Sequence, residues 1–393
     1  MTLLRVPFFR VGSAPPLSKK ARGPPKNKSG VILLASAALL VLFLYKSDLF
    51  QKQDMLPTLV REATFNAKVP EGRVMPSKSI YKRLATADQC RNARSMEFAG
   101  PAGKATARVS TEHAKAFALG GYEQIAQGSG DVNVNGLMTL RLSQIQHSSG
   151  IYGSVGEVGV HHGRYTGCLF LGATANEDLV VGDIFEQQEK NVDGSGYGNK
   201  IMFLQGLTTY GLSESDLYAI HTGSTDEIPF DWSSSAGFSP FRMFSVDAGH
   251  TAALTFNDLE VAFCNLLQGG IVVLDDIFHP HWVGVTEGLF DYFLLGAEQG
   301  HVFPFLFCDG KMFMTNTREH HDIYYDVLIK DKKINSLLLT DASQLHGSNE
   351  FVLNNVDFLY CDRTLVPEVD KIREIWASLV DDRRGTSSGW WPV

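Results

Sequence analysis

The sequence lacks several signatures by which protein classes declare themselves. It has no Cys-x-x-Cys and no Cys/His pair at zinc-ligand spacing, so an ordinary structural zinc site is excluded. Its five cysteines are scattered and odd in number, so no disulfide framework is expected. Gly-x-Gly-x-x-Gly does not occur, which removes the dinucleotide-binding fingerprint. Asp-x-Asp, the usual nucleotide-sugar motif of metal-dependent glycosyltransferases, is also missing. There is no internal repeat. No apolar run reaches the roughly 20 residues of an ordinary spanning helix; the uncharged stretch at residues 31–45 is shorter.

Acid is missing in one place only. Residues 1–47 carry eight Lys/Arg and no Asp or Glu, whereas the remainder carries 27 Lys/Arg against 43 Asp/Glu. The acidic body argues against a whole-surface nucleic-acid binder. A hydrophobic content of 44% is enough for a packed core. In the leader, the basic excess precedes the apolar run. The positive-inside rule then keeps the N-terminus cytoplasmic and translocates the body. This is a type II signal-anchor arrangement of the Golgi/ER kind, with membrane attachment through residues 31–45. An acid-free basic leader also fits a cleaved organelle-targeting segment, the alternative reading. The only Asn-x-Ser/Thr sequon, Asn27-Lys28-Ser29, lies ahead of the run. The expected organisation is a basic tail at 1–30, an anchor or targeting segment at 31–45, a linker or stem at 46–109, a catalytic domain at 110–320 and a C-terminal extension at 321–393.

From residue 151 short apolar runs alternate with amphipathic stretches. Strand-like runs fall at 155–160, 178–184, 217–220, 241–246 and 270–274, with helix-like stretches at 163–171, 200–208 and 254–267. That alternation predicts an α/β fold with a parallel sheet covered on both faces. Residues 301–307 and 311–315 flank Cys308-Asp309-Gly310, and Asp-Gly between apolar runs predicts an antiparallel hairpin. Ligands in such sheets bind at the carboxyl ends of the strands.

The first strand and its turn read Glu157-Val158-Gly159-Val160-His161-His162-Gly163. Glycines there permit a tight turn and close approach of backbone to ligand. Asp183 falls at the tip of the second strand, where a carboxylate accepts both hydroxyls of a ribose. Asp247 closes the fourth run, and Asp275-Asp276 close the fifth. If those strands are neighbours, three carboxylates converge on one loop face. Their repulsion is relieved most simply by a hard divalent cation such as Mg²⁺. His250, three residues beyond Asp247, has the ordinary pKa (~6.5) of a general base. His161, His162, His279 and His281 near strand ends read as loop histidines hydrogen-bonded to backbone, with substrate contact beside the carboxylate cluster as the alternative. Trp390 and Trp391 read as a docking or stacking pair.

Taken together, Glu-x-Gly-x-x-x-Gly, the strand-two acid, Val246-Asp247-x-x-His250 and Gly269-Gly270-Ile271-Val272-Val273-Leu274-Asp275-Asp276 resemble class I S-adenosylmethionine-dependent methyltransferases. The likeness is to the methyltransferase-24 type, which includes metal-dependent macrolide-sugar O-methyltransferases. It spans about residues 132–317. The resemblance implies a Rossmann-like domain whose cofactor site includes Glu157, Gly159, Gly163 and Asp183. Gly223-Ser224 would lie near the adenine; the family often carries an acid where this chain has Ser224. It further implies metal ligation by Asp247, Asp275 and Asp276, with His250 deprotonating a hydroxyl of a sugar, glycan or polyol-like acceptor. A Golgi-type glycosyltransferase and a catalytically silent binding module are the alternatives.

Overall fold

The computed structural model describes residues 81, 83–94, 106–116, 134–339, 351–361 and 369–382. The leader and Trp390-Trp391 lie outside the described residues. Among the described residues, no helix is long and apolar enough to cross a membrane.

Strands β1 (Ser154–Val158), β2 (Leu179–Asp183), β3 (Ala219–Thr222), β4 (Phe241–Val246) and β5 (Leu266–Leu274) lie parallel. Strands β6 (Phe303–Cys308) and β7 (Lys311–Thr315) form the expected hairpin, and β7 inserts antiparallel beside β5. Its turn is Asp309-Gly310, both left-handed at φ 50° and 89°, the conformation that Asp-Gly supplies at low cost. A further strand, β10 (Leu359–Cys361), runs parallel to β6. The order across the sheet is β10-β6-β7-β5-β4-β1-β2-β3. The short pair β8 (Val352–Leu353) and β9 (Val356–Asp357) stands apart.

Helices cover both faces, and so the inner strands are buried on both sides. They are accordingly rich in Val, Ile and Leu and do not alternate. Helix α1 (Ala87–Ala93) precedes α2 (Val134–Ser148). The crossovers carry α3 (Arg164–Leu171), α4 (Lys200–Thr209), α5 (Trp232–Ala236), α6 (Ala252–Cys264) and α7 (Val283–Leu295). Helices α8 (Arg318–Lys330) and α9 (Val369–Asp382) follow. Asn199 and Thr251 cap α4 and α6 by accepting from Met202 and Leu254 backbone N–H groups.

Three expectations need adjustment. The chain contains two disulfides, Cys90–Cys264 and Cys308–Cys361, with Cys168 free and buried. Their partners lie 174 and 53 residues apart, so local spacing could not reveal them. The segment read as linker is docked where it is described: Cys90 is bonded to α6, and Arg94 donates to the Phe263 carbonyl at 2.9 Å. The C-terminal extension adds β10 to the main sheet, and ahead of it Asn335–Leu337 form a 3₁₀ turn and Leu339 makes one isolated bridge to Tyr360.

At the end of the sheet away from the strand tips lies a buried ion pair. Glu177 accepts from Arg242 Nε at 2.5 Å and Nη2 at 3.0 Å, and both side chains are fully buried. Burial alone would raise the Glu177 pKa; Arg242 and His147 outweigh it and hold the carboxyl well below the usual range.

Candidate active site

A cavity of about 310 Å³ opens at the carboxyl ends of β1 to β5. Gly159, Asp183, Gly223, Ser224, Asp247, His250, Asp275 and Asp276 all line it. Tight contact between β1 and β4 dictates the first of these. Gly159 has φ 83°, and a Cβ there would lie 1.8 Å from the Asp247 carbonyl oxygen. Gly163 also has φ 81°, but its missing Cβ makes room for the Phe203 ring at 2.7 Å, so it shapes the turn beneath the cavity.

Glu157 also lies below the cavity wall. It is buried, with its oxygens taken by Thr166 Oγ1 and, at 3.0 Å, Ser245 Oγ. Burial pushes its pKa up to about 7 against the opposing pull of Thr166, Lys311 and Ser245. Asp183 is placed at the tip of β2 as expected. It accepts from the backbone N–H of Phe185 at 2.5 Å and of His161 at 2.8 Å. Each carboxylate oxygen carries two acceptor sites, so these bonds leave capacity toward the cavity. Ser224 sits beyond β3, with its carbonyl 3.1 Å from His221 Nε2.

The carboxylates divide into two groups. Asp247, His250 and Asp276 can bring one donor atom each within 4.8 Å of one another. Asp275 falls outside that set of three, although it also lines the cavity and is hydrogen-bonded to Asp247. Its Oδ1 accepts from Asp276 N–H at 2.8 Å, and its Oδ2 accepts from Lys311 Nζ. Lys311 is 1% exposed, lies 3.5 Å from Asp247 Oδ2, and rests over the Tyr165 ring at 4.2 Å. Burial penalises the charge on Lys311, but Asp275 and Asp247 outweigh it and hold the ammonium firmly protonated. Burial and the neighbouring Asp275 charge raise the Asp247 pKa well above normal. Burial acts in the same direction on Asp275, yet Lys311 and the bond to Asp247 bring its pKa below normal.

His250 is held from both sides. Asp193 Oδ2 accepts from its backbone N–H at 2.5 Å and lies 3.1 Å from Nδ1. Nε2 lies 3.1 Å from Asp276 Oδ2, and Trp282 stacks on the ring at 4.3 Å. Burial lowers the histidine pKa, but Asp276 and Asp193 together raise it above the ordinary value. Asp193 braces its own loop as well: its Oδ1 accepts from Ser195 N–H at 2.9 Å and Ser195 Oγ at 2.5 Å. Backbone strain marks the same corner. Asp276 and Phe278 are left-handed at φ 56° and 64°, a conformation costing about 1–3 kcal/mol each where a side chain is present.

Asp193 and Lys311 are site residues that the motifs did not disclose. The only sequence signal for Asp193 is its place in the glycine-rich stretch Asp193-Gly194-Ser195-Gly196. Lys311 opens an otherwise apolar strand.

Residues 157–277 match the family model described as a methyltransferase domain. The sheet, parallel except for β7 inserted antiparallel beside β5, is the α/β architecture ending in a hairpin that the sequence predicted. Residues 157–277 thus read as a methyltransferase domain set in a mostly parallel α/β sheet. No curated protein matches it. Among solved structures, CalS11, a TDP-rhamnose 3'-O-methyltransferase of calicheamicin biosynthesis, is 17% identical. That match covers 46% of this chain and 79% of CalS11, with a TM-score of 0.33. The O-methyltransferase TomG from Streptomyces achromogenes, solved with S-adenosylmethionine, is 16% identical over 47% of this chain and 79% of its own, with a TM-score of 0.33. MycE of the mycinamycin pathway, solved with Mg and S-adenosylhomocysteine, is 15% identical over 42% of this chain and 46% of its own, with a TM-score of 0.29.

Proposed function

We propose that this methyltransferase transfers the methyl group of S-adenosylmethionine to a hydroxyl oxygen of a sugar, glycan or polyol-like acceptor, assisted by a divalent cation. The observation that carries this reading is the convergence of Asp247, His250 and Asp276 on the wall of the cavity that Gly159, Asp183 and Ser224 also line. The donor set fits a hard cation. Four carboxylates (Asp193, Asp247, Asp275, Asp276) crowd this corner against one ammonium, Lys311, and oxygen donors suit Mg²⁺ or Mn²⁺. When bound, S-adenosylmethionine supplies a methyl already activated on a sulfonium, and the cation supplies a Lewis acid beside the acceptor oxygen.

The chain's own residues do the rest. Asp183 offers a carboxylate to a ribose diol, and the Gly159 turn admits the ligand close to the backbone. Asp247 and Asp276 hold the cation side of the cavity. His250 accepts the hydroxyl proton at Nε2, with Asp193 fixing the opposite nitrogen. Trp282 covers the imidazole and limits its access to water. Alignment of the acceptor behind the methyl group supplies a large part of the rate gain in such a reaction.

Localisation belongs to the same proposal. Two buried disulfides favour an oxidising compartment. With the basic, apolar leader, they support a type II protein whose catalytic domain faces the Golgi or ER lumen, in preference to a cleaved organelle-targeting segment.

The test is transfer of labelled methyl from S-adenosylmethionine to a panel of free, nucleotide-linked and glycan hydroxyls, with Mg²⁺ or with chelator. His250→Ala and Asp276→Asn are expected to lose at least a hundredfold in kcat while keeping cofactor affinity by calorimetry. Full activity in either variant overturns the assignment.

A further inference from the structure

Resting on the metal-assisted reading above, we propose that Lys311 is a built-in cation of the site that withholds Asp275 from the metal. The divalent ion is then held by the two carboxylates Asp247 and Asp276, and not by three.

The geometry of Asp275 carries the inference. One oxygen accepts from the Asp276 backbone N–H and the other from the buried Lys311 ammonium, and Asp275, though bonded to Asp247 at the cavity wall, is outside the donor set that Asp247, His250 and Asp276 bring together. Asp276, next in the chain, is left-handed at φ 56°, and its carboxylate is brought within reach of Asp247 and His250. The strained turn thus sends two adjacent aspartates in different directions. Lys311 cannot swing aside: it is 1% exposed and packs over Tyr165. It enters from the first position of β7, whose register against β5 pairs Met312 with Leu274 and so places Lys311 beside Asp275.

The chemical consequence is a cation held less tightly and left more open. Mg²⁺ characteristically uses one or two carboxylates and fills its remaining positions with water or substrate oxygens. Two protein carboxylates leave room for two oxygens of one acceptor, so the arrangement favours a vicinal diol over an isolated hydroxyl. Lys311 meanwhile offsets carboxylate repulsion when no divalent ion is bound, which keeps the β4 and β5 tips together.

The experiment is Mn²⁺ binding to the whole protein, read from the electron paramagnetic resonance signal of free Mn²⁺, without any methyl acceptor. Asp276→Asn is expected to weaken Mn²⁺ at least tenfold, and Asp275→Asn to change it less than about threefold. Lys311→Met, which frees a carboxylate and removes a positive charge, is expected to tighten it at least tenfold. The inference is overturned if Asp275→Asn weakens Mn²⁺ as much as Asp276→Asn does. Should Lys311→Met fail to fold, the two aspartate variants decide the matter. Absence of Mn²⁺ binding in the unmodified protein overturns the metal-assisted reading itself, a different result from loss in Asp275→Asn alone.

Discussion

Replacement of Asp193 by Ala separates a catalytic arrangement from a merely well-packed one. Asp193 spends one oxygen on His250, through its backbone N–H and Nδ1, and the other on Ser195. Hydrogen bonds to a charged group contribute roughly 1.5–3 kcal/mol each. Losing the bond to Nδ1 frees the imidazole to rotate out of alignment with the acceptor oxygen. If the full value is expressed in the transition state, kcat falls about 10- to 150-fold, at 1.36 kcal/mol per decade. Losing the bonds to Ser195 loosens the loop that lines the cofactor cavity, and this appears as a higher KM for S-adenosylmethionine. The two effects are separable by a cycle with His250→Ala, measured as labelled methyl transfer to the best acceptor from the panel. Asp193→Ala is expected to lower kcat in the unmodified protein and to add almost nothing to the kcat loss of His250→Ala, because residues acting as a unit are not additive. The KM effect should persist in both backgrounds. An equal fall in kcat in both backgrounds, or no fall in either, would refute the orienting role.

Two further predictions concern stability. Closing a loop of 53 residues, Cys308–Cys361 is worth about 4 kcal/mol on the chain-entropy relation, so Cys361→Ser should lower the thermal midpoint measurably by calorimetry. Thiol titration of the denatured, unreduced protein should find Cys168 alone, and five titrating thiols would refute both pairings. Asp258 in α6 has its pKa pushed up to about 7 by burial, partly opposed by hydrogen bonds with Thr225 and Asn257. The folded protein therefore keeps a proton that the unfolded chain releases near pH 4. Stability from this group is present below that pH and is lost as pH rises toward 7, by at most about 4 kcal/mol. Asp258→Asn should remove that part of the decline in urea midpoints between pH 4.5 and 7.5; parallel curves for the two proteins would contradict it.

What the sequence disclosed was whatever is contiguous along the chain. Inner strands buried on both faces are mostly apolar, so β4 and β7 were legible to the residue despite Arg242 and Lys311, whose charges are paired within the fold. The Asp309-Gly310 turn has the left-handed geometry that its residues favour, so the hairpin was legible too. Glycine patterns were less informative about role. Gly159 and Gly163 look alike in the motif, yet one clears the Asp247 carbonyl at the cavity wall and the other clears Phe203 beneath it. Glu157 looks like a ligand-facing acid from its place near a strand end, but alternation of side chains turns it into the core, where Thr166 and Ser245 satisfy it.

The residues that escaped the motifs did so because strand order, not chain order, makes them neighbours. Lys311 lies 36 residues beyond Asp275, and Asp193 lies 57 residues before His250. In sequence, Lys311 begins a strand after a turn, where a lysine ordinarily points to solvent. Only insertion of β7 between β5 and β6 converts that position into the floor of the site. The same insertion changes how the aspartates are counted. Read along the chain, Asp275 and Asp276 are equivalent ends of one strand; read across the sheet, Asp275 has a cation partner already and Asp276 does not share it. On the proposed reading, a motif of two adjacent acids supplies one metal ligand and one partner for Lys311. Which acid takes which role follows from the strand packed alongside, so substitutions at position 311 should retune the proposed metal site without altering any residue of the motif itself.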